Sequence, residues 1–258
     1  ALTALTLLVS SASNAQPVLN RVVKSGTLRV GMSANQPPLN VKSKGGQMIG
    51  LEVDLAKGLG YALGLEVELV QKPFGQLLPA LKKGQVDMVM SGVDITAERT
   101  KDFLFVGPYL LSGKSLVTAS KSLASAETVE DINTPDVSFV TLENSTSAAF
   151  VKKNVPKAKL VTVDTYEEAV AKVIDGSASA MIADLPACIL AILKNPDAGL
   201  VTLEEPLSVE PMGIAVSAKD PRFHNLIDNY IDAIEATGIL SALRQKWFED
   251  PAWLEELP

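Results

Sequence analysis

Two successive series of alternating strand-like and helix-like segments constrain this chain most. In the first, residues 28–32 read as a strand broken only by Arg29, and residues 51–63 as a helix with Leu55, Leu59, Ala62 and Leu63 at helical spacing. Residues 65–69 alternate apolar and charged side chains, which gives a strand with one buried face. Residues 74–83 are helical up to Gly84, and 86–90 form an apolar strand. A short helix over 19–24, closed by Gly26, precedes the series. Pro37-Pro38 forces a loop over 33–38, and 42–46 make a polar hairpin tip. Strand, helix, strand, helix, strand in this order implies a parallel sheet with helices on its faces.

Ser112-Gly113-Lys114 marks a change of unit. The second series, which starts after 115–119, predicts strands over 137–142, 160–163, 180–183, 200–203 and 212–216. Helices are predicted over 147–153, 166–174, 185–194, 223–236 and 239–248. Two α/β units joined by two extended crossings suggest two lobes with a cleft between them. Open α/β sheets bind ligands beyond the carboxyl ends of their strands, and Ser91, Asn144 and Asp184 each fall just after one.

The chain's 258 residues suffice for one large domain or two smaller ones. A net charge of −7 argues against a nucleic-acid partner, because phosphate binding needs a basic patch. Residues 1–15 read as a signal peptide truncated at its start: a short apolar run, then small residues with Ser13 and Ala15 where a signal peptidase cuts. No cysteine lies near that cleavage site, which argues against a lipid anchor. A soluble exported protein is expected, and the lone Cys188 is expected to be buried and inert.

Enzyme chemistry has little support. The one histidine, His224, sits in a predicted helix with no nucleophile pattern nearby. There is no Cys/His cluster with metal spacing and no phosphate loop; Gly113-Lys114-Ser115 has the right ending, but Pro108 stands where the first glycine belongs. No cofactor is expected. Acidic pairs such as Glu204-Glu205 and Glu255-Glu256 read as solvated surface.

The stretch from Met90 to Arg99 carries the strongest local signal. A strand runs into a small polar turn, then a short helix with Thr96 as N-cap and Arg99 in its first turn. A helix start has unpaired N–H groups, and an arginine there adds a permanently charged fork suited to a carboxylate. The alternative is a surface arginine paired with Glu98 or Asp102.

Several segments, in order, resemble the amino-acid-binding proteins of bacterial ABC importers. They are Gly26-Thr27-Leu28-Arg29-Val30-Gly31, Gly50-Leu51-Glu52-Val53-Asp54-Leu55-Ala56, and Phe74-Gly75-Gln76-Leu77-Leu78-Pro79-Ala80-Leu81. After residues 87–99 and Pro108-Tyr109 come Met181-Ile182-Ala183-Asp184-Leu185-Pro186, Gly213-Ile214-Ala215-Val216 and Lys246-Trp247-Phe248. The resemblance runs from Val18 to the C-terminus. It implies a two-lobed Venus-flytrap fold, each lobe a mainly parallel sheet flanked by helices. Lobe 1 would be 16–112 with 209–258 and lobe 2 would be 113–208, with the crossings near 111–114 and 208–213. It implies a monomer in the periplasm that delivers its ligand to a membrane permease.

The resemblance also implies roles. Arg99 would grip the ligand's α-carboxylate, aided by the Asp94 amide and by a carbonyl or amide of Ser91 and Gly92. Asp184 would hold the α-ammonium; it also reads as a helix N-cap. Asn144, Ser145 and Thr146 would close over the carboxylate from the second lobe or simply cap a helix. Phe74 would wall the pocket or pack in the core. The family usually has glycine at Asn144, a hydroxyl residue at Asp94, and often aromatics where Gln36, Leu39, Leu51 and Leu110 stand. Asp94 either pairs with Arg99 or points beside Asp184. Both arrangements favour neutral or basic amino acids, or related amines, over acidic ones. The alternatives are a lyase similar to periplasmic cyclohexadienyl dehydratases, with Glu143 or Asp94 as general acid, and a ligand-sensing receptor domain.

Overall fold

The computed structural model describes residues 17–126, 128–203 and 206–258. The expected signal peptide and the Glu204-Glu205 pair lie outside them.

The chain starts with helix α1 (Val18–Ser25) and strand β1 (Thr27–Met32). Short strands β2 (Asn35–Gln36), β3 (Asn40–Lys42) and β4 (Met48–Ile49) form a small antiparallel sheet, with the expected polar tip between the last two. Helix α2 (Leu51–Leu63), strand β5 (Glu66–Gln71), helix α3 (Phe74–Lys82) and strand β6 (Met88–Val89) follow. Strand β7 (Phe103–Ser112) then leads to the crossing.

The second unit comprises β8 (Lys114–Thr118), α4 (Lys121–Ala124), α5 (Val129–Ile132), β9 (Ser138–Leu142), α6 (Thr146–Asn154), β10 (Lys159–Val163), α7 (Tyr166–Ile174), β11 (Ala180–Asp184), α8 (Leu185–Lys194) and β12 (Val201–Thr202). The chain returns through β13 (Glu210–Ser217) and ends in α9 (Pro221–Ala236), α10 (Ile239–Phe248) and a 3₁₀ segment, Pro251–Glu256.

Two five-stranded sheets result, in the orders β5-β1-β6-β13-β7 and β10-β9-β11-β8-β12. Each has a parallel half built by the helix crossovers and an antiparallel half built by the strands at the crossings. The fold is therefore α/β with two lobes, and its sheets are mixed. Leu28, Val30, Leu55, Leu59 and Met88 pack with Ile214, Ile227 and Ile231 in the first lobe. Val117, Val140, Ala169 and Met181 pack with Cys188 in the second. As expected, Cys188 is buried. A further cluster joins Phe74, Leu77 and Val93 of the first lobe to Leu142, Val163 and Tyr166 of the second, so the lobes meet directly.

The crossings lie side by side. Leu207 N–H donates to the Lys114 carbonyl at 2.6 Å, and Lys114 N–H donates to Ser208 Oγ at 3.1 Å. Gly113 sits where they touch, and a Cβ there would press into the Ser208 carbonyl.

Two local expectations need correction. The strand expected over 86–90 shrinks to Met88–Val89, because β1 and β13 pair with it only at those positions. The short helix expected after Thr96 is a single 3₁₀ turn, Arg99–Lys101. Thr96 Oγ1 accepts the Arg99 N–H at 3.2 Å, but three residues build no helix dipole worth invoking.

Candidate functional site

The carboxyl ends of β6, β9 and β11 converge where the lobes meet, and they bring charged side chains with them. Asp94 follows β6 through the turn 91–93. Asp184 is the last residue of β11, and Lys114 the first of β8. Because β8 and β11 run antiparallel with Lys114 opposite Asp184, pairing register alone puts these two side by side. Lys114 Nζ donates to Asp184 Oδ1 at 2.7 Å and to Asp94 Oδ2 at 2.9 Å. All three side chains are largely out of solvent, with relative exposures of 0% for Lys114, 2% for Asp94 and 13% for Asp184.

Asp94 thus points beside Asp184 and does not pair its carboxylate with Arg99. The missing piece in the sequence reading was the cation between them. A lysine opening an otherwise uncharged strand that lies wholly buried was the available signal, since a buried ammonium requires acidic partners. Burial alone would lower the Lys114 pKa, but Asp184 and Asp94 outweigh it and raise it. Burial pushes the Asp184 carboxyl up to about 6; Lys114 opposes that, and the like charges of Asp94 and Glu210 add to it. Asp184 occupies the N-cap position of α8 but makes no side-chain cap bond. Its carboxylate is turned to Lys114.

Arg99 closes the other side. Its Nη1 donates to the Asp94 carbonyl at 2.9 Å, and its Nη2 reaches the Asn144 carbonyl of the second lobe at 3.5 Å. It pairs with neither Glu98 nor Asp102, which bind Lys101 and Lys82. Burial lowers its pKa against the pull of Asp94, Asp184 and Glu210; a guanidinium so placed remains charged. A cavity of about 230 Å³ abuts it, lined by Phe74, Leu77, Val93 and Asn144 among others. Phe74 therefore both packs in the interlobe cluster and lines the cavity. A larger cavity of about 330 Å³, between Asn35, Pro37, Tyr166 and Leu190, holds none of the expected site residues.

The second-lobe turn divides its work. Asn144 takes the left-handed conformation, φ 56°, that its amide side chain tolerates. Ser145 caps α6 by accepting the Ala148 N–H at 3.1 Å. Thr146 Oγ1 crosses between lobes and donates to Asp94 Oδ2.

Ser91, Gly92 and Gln36 belong to a buried polar wall behind the charges. Ser91 Oγ donates to Ser33 Oγ at 2.9 Å and lies 3.3 Å from Gln36 Oε1. Gly92, at φ 58°, has no room for a Cβ beside Gln36 Oε1. The expectation that its amide serves a ligand needs correction, because that N–H donates to Glu52 Oε1 at 2.7 Å. The sequence reading missed Glu52, which is fully buried at the start of α2. Its other donors are Asn40 Nδ2, at 2.5 Å, and the Tyr109 hydroxyl. Burial raises the Glu52 pKa against all three. An acid among Leu51, Val53 and Leu55 on a buried helix start was its only trace in the sequence.

A family model for bacterial extracellular solute-binding proteins, family 3, matches residues 28–250. The chain is 27% identical to the cyclohexadienyl dehydratase of Pseudomonas aeruginosa, over 96% of this chain and 93% of that one. It is 28% identical to ABC transporter arginine-binding protein 1 of Escherichia coli, over 86% and 90%. A putative binding component of an ABC transporter from Wolinella succinogenes, solved with lysine, is 34% identical over 89% of this chain and 99% of that one, with a TM-score of 0.83. Motif order, two-lobed architecture and these matches agree: the chain belongs to the bacterial extracellular solute-binding proteins, family 3.

Proposed function

We propose that this chain captures an amino acid or related amine between its lobes in the periplasm, as a monomer, and delivers it to the permease of an ABC importer. The lobes are 16–112 with 209–258, and 113–208, after removal of a signal peptide over 1–15. The observation that carries the reading is the meeting of Arg99 with Asp94, Lys114 and Asp184 at one buried junction between lobes. Such a site has a cationic fork at one end and carboxylates at the other, which complements a zwitterion. A ligand bridging both lobes would stabilise the closed arrangement by its differential affinity for it. The field of two carboxylates, with Glu210 nearby, favours neutral or basic ligands over glutamate and aspartate.

A lyase would need a general acid in the cleft. Of the two acids the sequence offers, Glu143 is exposed and Asp94 is held by Lys114 and Thr146. Neither stands as a free acid buried at the lobe junction, which favours capture over turnover even though one relative is a dehydratase.

A thermal-shift screen against amino acids, amines and small organic acids tests the proposal, since a ligand specific to the folded state raises its stability. Stabilisation by a neutral or basic amino acid is expected. Stabilisation by organic acids alone, or turnover of prephenate or arogenate, would replace the reading.

A further inference from the structure

The charge at the lobe junction is not that of a simple acidic subsite. Two carboxylates share one ammonium, so Asp94, Lys114 and Asp184 together carry one net negative charge. The bonding is lopsided. Asp94 Oδ2 receives both the Lys114 ammonium and the Thr146 hydroxyl, while Asp94 Oδ1 is buried without any hydrogen-bond partner. Lys114 engages Asp184 through Oδ1 alone, and the Asp184 side chain retains some exposure. Two carboxylate oxygens are thus left for one further cation. Arg99, on the other side of Asp94, supplies one positive charge for a carboxylate. Glu210, whose charge is felt at both Arg99 and Asp184, is engaged by Ser208 Oγ at 2.9 Å.

We propose that Lys114 is a specificity-determining residue: by cancelling the charge of Asp94 it leaves room for a single ligand ammonium, and so selects α-amino acids with uncharged side chains over dicationic ones. The inference rests on the amino-acid reading above and sharpens it. Asp94 and Lys114 form a compensated pair, and the net charge they leave, more than either residue alone, sets the preference. Removing the lysine strands a second negative charge in a dry site, where nearby charges interact far more strongly than in water. A ligand with a second cationic group then becomes the better counter-ion. Removing the aspartate does the reverse.

The test is a charge cycle with three probes of similar length: L-glutamine, L-lysine and L-glutamate. Affinities are measured by calorimetry on the wild type, Lys114→Gln, Asp94→Thr and the double variant. Wild type should favour glutamine. Lys114→Gln should raise the lysine-to-glutamine affinity ratio by about tenfold or more. Asp94→Thr should move the preference toward glutamate. The double variant, which loses one charge of each sign, should return the ratio to within about threefold of wild type. It also keeps the proposal testable if Lys114→Gln fails to fold. A ratio unmoved by Lys114→Gln, or a double variant displaced as far as a single one, overturns the role of Lys114 while leaving amino-acid capture intact. Absence of binding of all three probes by all four proteins overturns both.

Discussion

Arg99 is the residue whose loss should separate ligand binding from folding. It is half-buried at a 3₁₀ turn and holds two backbone carbonyls, so Arg99→Ala should fold with a Tm close to wild type. Binding of any carboxylate ligand should weaken by roughly 2–5 kcal/mol, the cost of truncating one partner of a buried charged pair. Calorimetry on the two proteins with the same ligand checks this, and near-equal affinities would remove Arg99 from the site. Asp184 makes a pH prediction. Its carboxyl is raised from an ordinary 3.8 to about 6, so between those values the folded chain holds a proton that the unfolded chain has released. Stability from this group is therefore greatest at the acid end of that window and declines as pH rises through it. Asp184→Asn has no such proton. Its Tm relative to wild type should climb from about pH 4 to about pH 6.5 and then level off. A flat difference would mean the carboxyl titrates normally. The residue scale is also where the sequence was least informative. Arg99, Asp94 and Asp184 were legible because each lies in a recognisable motif at or beyond the carboxyl end of a strand. Lys114 was not, because its partners lie 20 and 70 positions away and only strand pairing brings them together.

Elements were far more legible than contacts. Helices at 51–63, 166–174, 185–194 and 239–248 appear with the bounds that periodicity gives them, since an amphipathic stripe records which face is buried. The ten-residue strand β7 escaped. It contains Gly107 and Pro108, residue types that disfavour strands, and its whole partner is β13, about a hundred residues on. The structure seats Pro108 at an irregularity, where the register slips between Met212 and Ile214, so the missing N–H costs no ladder bond. Helix α2 gives the prediction at this scale. Glu52 at its start ties Gly92 of the turn after β6, Asn40 of β3 and Tyr109 of β7 to one carboxylate. Glu52→Ala would leave the buried Gly92 N–H and Tyr109 hydroxyl without an acceptor and Asn40 Nδ2 with only Ser91 Oγ at 3.4 Å, and should lower stability by on the order of 3 kcal/mol. Urea denaturation measures it. A loss below about 1 kcal/mol would mean that wall reorganises freely.

At the scale of the whole molecule, the fold depends on two crossings that run together. Gly113 is the point of closest approach, and Gly113→Ala would drive a methyl into the Ser208 carbonyl. The expected outcome is separation of the crossings, loss of the Leu207-to-Lys114 bond and a shift of Lys114, whose backbone is fixed there. Ligand affinity should fall along with Tm; an affinity unchanged within about twofold would show that the crossings tolerate separation. The paired crossings also limit the kind of motion available. Two extended segments bonded edge to edge form a ribbon, which yields readily to bending across its face and poorly to shear within its plane. Opening then approximates rotation about one line, with a single angle as its coordinate. Paramagnetic labels on opposite rims of the cleft should report a distance that varies with that angle, while a pair placed along the line itself should stay constant. Loading the protein becomes a matter of how far one angle opens, and for how long.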